Sequence, residues 1–85
     1  MMSEIEFFPG DIVRVSRGCL AIFSGDPNDP KDFHQFGVVE DNQLLTVLNG
    51  MLELKGGMKT YPDFFINIIC EDGRIGWIRP GVTRL

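Results

Sequence analysis

The chain has 85 residues, 44% of them hydrophobic and 24% charged, and carries a net charge of −4. That length supports one hydrophobic core, and that composition excludes a largely disordered chain. The acidic balance argues against a whole-molecule attraction to nucleic-acid phosphates, and no apolar run approaches the ~20 residues of a membrane-spanning helix.

The charge is divided unevenly. Residues 1–43 hold eight acids against Arg14, Arg17 and Lys31, whereas residues 44–85 hold five bases against four acids. Residues 1–8 read as an N-terminal arm of a single domain over 1–85. With Glu4, Glu6 and no early base, they resemble neither a secretory signal nor a mitochondrial presequence, so a cytoplasmic location is expected.

Ten glycines and five prolines punctuate short apolar runs, the pattern of many short strands joined by turns. Residues 10–16, GDIVRVS, alternate, with Val13 and Val15 facing one way. CLAIF at 19–23 is a second strand. SGDPNDPKDFHQ, 24–35, has two prolines, three aspartates and a glycine and reads as a long acidic loop. Strand signal returns at FGVVE, and EDNQ turns the chain. In LLTVLNGMLELK, 44–55, Asn49-Gly50 predicts a two-residue hairpin turn that pairs Leu48 with Met51 and puts Leu45, Val47, Leu52 and Leu54 on the core face. GGMKTYPD, 56–63, is a second loop. FFINIIC then places Phe64, Ile66, Ile68 and Cys70 on one face.

The last turn leaves two registers open. A two-residue turn at Asp72-Gly73 pairs Ile68 with Trp77 and puts Trp77 on the core face. A three-residue turn with a bulge shifts the register by one and turns Ile78 inward.

The pieces PGDIVRV, FGVV and DGRIGWIRPGVTRL resemble the SH3-like small-barrel superfold. The first two are similar to the opening strands of KOW-type barrels. The third is similar to the end of bacterial SH3 domains, where a Gly-Trp-aliphatic run leads through a short 3₁₀ turn into a last strand. The resemblance implies an all-β, single SH3-like barrel of about six short antiparallel strands, with Ile78 inward. It does not carry proline-rich peptide binding, because Pro80 is followed by Gly81 and Val82. The first loop of KOW modules is short and basic; here it is long and acidic. The GDIV strand is also similar to that of MazF-type toxins, whose catalytic residues find no match.

The chemistry-bearing residues favour a non-enzymatic module. His34 next to Asp32 is more simply a solvated loop histidine than a general base. Asp26, Asn28 and Asp32 can be drawn as calcium ligands, but Pro27 and Pro30 break the ligand spacing. Cys19 and Cys70 have no CxxC spacing and read as two buried thiols, with a disulfide as the alternative. Lys55 and Lys59 around two glycines match no phosphate loop. No cofactor or metal is expected. The candidate binding residues are Trp77, Tyr61, Phe33, Phe65, Arg74 and Arg79, with the three phenyl and phenol rings as exposed anchors for a protein partner or a second copy. The same arginine and tryptophan edge offers nucleic-acid binding as the alternative.

Overall fold

The computed structural model describes residues 7–54 and 63–85, with side chains described for 7–49 and 64–85. Among the described residues, seven strands form one antiparallel sheet: β1 (Ile12–Val15), β2 (Cys19–Ser24), β3 (His34–Glu40), β4 (Leu44–Leu54), β5 (Asp63–Cys70), β6 (Ile75–Ile78) and β7 (Val82–Arg84). Their order across the sheet is β3-β2-β6-β5-β4-β1-β7. The expected all-β, antiparallel architecture is therefore present.

The sheet is not closed into a barrel. Strands β3 and β7 are its two edges. It nevertheless surrounds a single core, because Val39 of β3 and Val82 of β7 join the same buried cluster as Val13, Ile22, Leu45 and Ile68. Phe7, from the expected N-terminal arm, is part of that cluster as well. A side chain bridges one edge where a ladder is missing. Arg74, at the β5–β6 turn, donates from Nη1 to the Val38 carbonyl of β3 at 3.1 Å.

Period-2 alternation explains which side chains reach the core. Val13 and Val15, Leu45 and Val47, and Ile66, Ile68 and Cys70 are buried, while their neighbours face outward. Phe64 shares the parity of the buried set but is exposed, near the far end of β5 opposite Glu53.

The Asn49-Gly50 hairpin does not form. Strand β4 runs straight through both residues and pairs with β5 from Leu45 opposite Cys70 to Leu54 opposite Asp63. The ladder skips Leu48 and Gly50, leaving two irregularities that flank Asn49. A turn there would pair four residues with four; the continuous strand instead gives the apolar β5 a partner along its whole length. The glycine serves a bulge, a common use of glycine inside a strand, and bulges bend the strand that carries them. The connection between β4 and β5 falls in 55–62, outside the described residues.

The β5–β6 turn takes the three-residue form. The Cys70 amide donates to the Arg74 carbonyl at 2.8 Å, and the Gly73 amide donates back to the Cys70 carbonyl at 3.0 Å. Gly73 has φ +94°, a conformation that side chains disfavour. Asn67 therefore stands opposite Trp77 and Ile66 opposite Ile78. Ile78 is fully buried and Trp77 is half-buried on the other face. The chain bends at Pro80 before β7, and no 3₁₀ turn occurs there.

Candidate functional site

The outer face of the sheet carries an aromatic cluster where β2, β6 and β5 lie side by side. Trp77 stands between Phe23 of β2 and Asn67 of β5. The Asn67 side-chain amide donates to the Gly76 carbonyl at 3.0 Å, which ties β5 to β6 beneath this face. Phe65 lies one outward position along β5, with ring centroids 5.6 Å from Phe23 and 5.1 Å from Phe33, both edge-on. Phe23 and Phe33 stack at 5.0 Å. Such pairs add about 0.5–1.5 kcal/mol each beyond area burial.

Phe33 reaches this cluster because the acidic loop folds on itself. The observed loop is 25–33; Ser24, His34 and Gln35 belong to strands. The Asp26 amide donates to Asp32 Oδ2 at 2.7 Å, the Asn28 amide to Asp26 Oδ1 at 2.9 Å, and the Lys31 amide to Asp29 Oδ1 at 3.0 Å. The amides of Asp32 and Phe33 both donate to the Asp29 carbonyl. Short acidic side chains thus satisfy their own backbone, and the carboxylates drawn as calcium ligands are engaged in building the loop. His34 is exposed, and its Nδ1 lies 2.7 Å from the Asp32 backbone oxygen rather than the carboxylate. Among the described residues, no three acids, histidines or cysteines gather as a metal site.

The three C-terminal arginines serve three separate contacts. Arg79 lies over the Phe65 ring, with Cζ 5.2 Å from the centroid, a cation–π contact on the aromatic cluster. Arg74 braces the β5–β6 turn. Its Nε donates to Asp72 Oδ2 at 2.9 Å while Nη1 reaches β3. The Arg74 backbone N–H, reinforced by its guanidinium, holds the Asp72 carboxyl below its ordinary pKa. Arg84 lies over Phe7, 5.9 Å from the centroid, with Nε 3.7 Å from Asp11 Oδ2.

Of the six candidate residues, the structure gathers Phe33, Phe65 and Arg79 in one cluster and sets Trp77 beside it, opposite Phe23. Two of the three expected exposed anchors change character. Phe65 is buried (3% exposed), because Phe23 and Phe33 close over it edge-on and Arg79 covers it; Phe33 is half-buried against Phe23. Arg74 is committed to Asp72 and β3. Tyr61 lies outside the described residues.

Sequence reasoning missed Phe23. It stood in an apolar run, and its partner Trp77 is more than fifty positions away, so only the β2–β6 pairing reveals it. Cys19, expected buried, is exposed at the start of β2, where Leu20 and Ile22 turn inward instead. Cys70 is buried, and burial raises its thiol pKa despite the nearby Arg74. Both cysteines are free thiols.

Comparison with protein-family models, with curated proteins and with solved structures finds no match to this chain.

Proposed function

We propose that the chain is a non-enzymatic, SH3-like binding or accessory module that works through protein–protein contacts. The SH3-like reading is supported by the pairing of the first strand with the last, by the β4-β5-β6 meander, and by a Gly-Trp-Ile strand leading through Pro80-Gly81 into the final strand. The observation that carries the binding role is the aromatic cluster on the outer face. A sheet this small gains its core from one face, and here the opposite face also holds Phe23, Phe33 and Phe65 in mutual contact, with Arg79 laid over Phe65 and Trp77 beside them opposite Phe23. Aromatics and arginine are the residue types that concentrate binding energy in protein interfaces.

The nucleic-acid alternative draws less support. The three phenylalanine rings pack on one another rather than standing free for bases, and Arg74 is held by Asp72. Two measurements on the folded chain separate these readings. Affinity capture is expected to yield a partner protein that Trp77→Ala and Arg79→Glu both lose. A labelled single-stranded oligonucleotide is expected to show no anisotropy change at low salt. Capture indifferent to both substitutions, or salt-sensitive oligonucleotide binding abolished by Arg79→Glu, would overturn the proposal.

A further inference from the structure

We infer that a second surface, centred on β4 and distinct from the aromatic cluster, pairs two copies of this chain face to face. This inference does not rest on the binding role proposed for Trp77.

The outer face over β1, β4, β5 and β6 bears a row of side chains in register: Ile12 opposite Thr46, Thr46 opposite Ile69, and Ile69 opposite Ile75. The adjacent row holds Arg14 opposite Leu44. Glu71 completes it on the far side, its Oε1 accepting from the Leu44 amide at 3.2 Å. These are outward positions that alternate with buried Val13, Leu45, Ile68 and Cys70. Yet Ile12, Leu44 and Ile75 leave 40%, 39% and 56% of their surface in water. A shallow depression bordered by Ile12, Leu44, Thr46, Ile69 and Glu71 lies between the two rows. An outward sheet face without a partner normally alternates to polar residues.

The rows match themselves under a two-fold rotation. Consider a half-turn about an axis that runs along β4, in the plane between two copies. It brings the outer faces together and lays β1 of one copy over β5 of the other. In the first row, Thr46 then meets Thr46 of the second copy, and Ile12 meets Ile69 of the second copy. In the next row, Leu44 meets Leu44, and Arg14 meets Glu71 of the second copy. The arrangement closes three aliphatic contacts, two Ile12–Ile69 and one Leu44–Leu44, and two opposite-charge pairs at once, which is what an isologous dimer requires. Arg14 has no ion-pair partner within its own chain among the described residues, so its charge is available for this contact. Charge complementarity therefore selects a second copy as the occupant.

Four neighbouring strands about 4.8 Å apart make a narrow patch. It falls short of the roughly 800 Å² per partner of a long-lived complex, so a weak, exchanging dimer is expected.

Sedimentation equilibrium on the full chain, from micromolar to millimolar concentration, tests this. The wild-type chain should pass from monomer to dimer across that range. Leu44→Lys sets two ammonium groups against each other on the axis and should leave monomer throughout. Arg14→Glu and Glu71→Arg each place like charges together twice per dimer and should weaken it roughly tenfold or more. The double variant, with the charges exchanged, should return to within a few-fold of wild type. Thermal melts confirm that each variant is folded, since Glu71→Arg also removes the bond to the Leu44 amide. A wild-type chain that stays monomeric at millimolar concentration overturns the inference. So does a dimer that Leu44→Lys and Arg14→Glu leave intact, or a charge exchange that fails to rescue.

Discussion

The two faces of the sheet use hydrophobic residues differently. The inner face is aliphatic and sealed: Ile22, Leu45, Ile66, Ile68 and Ile78 have no exposed surface. The outer face is divided. Its β2–β6–β5 end is aromatic and partly closed by the acidic loop, and its β1–β4–β5 side is aliphatic and open. Burial on the inner face follows from folding alone. Apolar surface on the outer face exceeds what folding uses, and this is why the contact functions are assigned there.

The largest expected contrast is between two isoleucines one strand apart. Ile68→Ala should destabilise the fold by about 2–5 kcal/mol, because it leaves a cavity in a packed core. Ile75→Ala should change stability by no more than about 0.5 kcal/mol. Chemical denaturation checks both, and a similar loss at both sites would erase the distinction between the faces.

A second, smaller effect probes the contact between the sheet's two halves. Gly76 lets β2 approach β6 closely. A Cβ at that position would lie 2.6 Å from the Phe23 carbonyl oxygen and 2.7 Å from Ile22 Cγ1. Gly76→Ala should cost roughly 1–3 kcal/mol and disturb Trp77 emission, since its neighbours must move. An unchanged melt would mean that β2 and β6 lie further apart.

The smallest effect concerns the Arg74 brace. Asp72 has a folded-state pKa below its unfolded value, so its stabilising contribution is present above the ordinary carboxylate range and is lost as pH falls through the lowered value. Asp72→Asn should lower the melting temperature slightly at neutral pH and flatten its acid dependence. Melts from pH 2 to 7 would show whether the acid limb persists without Asp72.

Much of this fold was legible in the sequence, for physical reasons that can be named. The alternation in GDIVRVS and FFINIIC placed Val13, Val15, Ile66, Ile68 and Cys70 correctly because one buried face imposes a period of two. Asn49-Gly50 misled because a turn preference is local, whereas the pairing of β4 with β5 is collective and extends over eight residue pairs. At Asp72-Gly73 the sequence placed a turn but left its length open. Gly73 at positive φ and the Asp72 bonds to Arg74 select the bulged form, and with it the half-buried Trp77. The candidate site was only partly legible. Trp77 and Arg79 could be named, but nothing local indicates that Phe33 lands on Phe23 or that Phe65 is covered. Those contacts depend on how an acidic loop satisfies its own backbone and on which distant strand lies beside β2.

The central claim is that the outer face makes the contacts and the inner face holds the fold. Amide chemical shifts of the 15N-labelled chain, followed from micromolar to millimolar concentration, test it directly. Concentration-dependent shifts are expected at Ile12, Leu44, Thr46, Ile69 and Ile75 and not along loop 25–33. Spectra that do not change with concentration, or changes gathered on the β3 edge from His34 to Glu40, would contradict it.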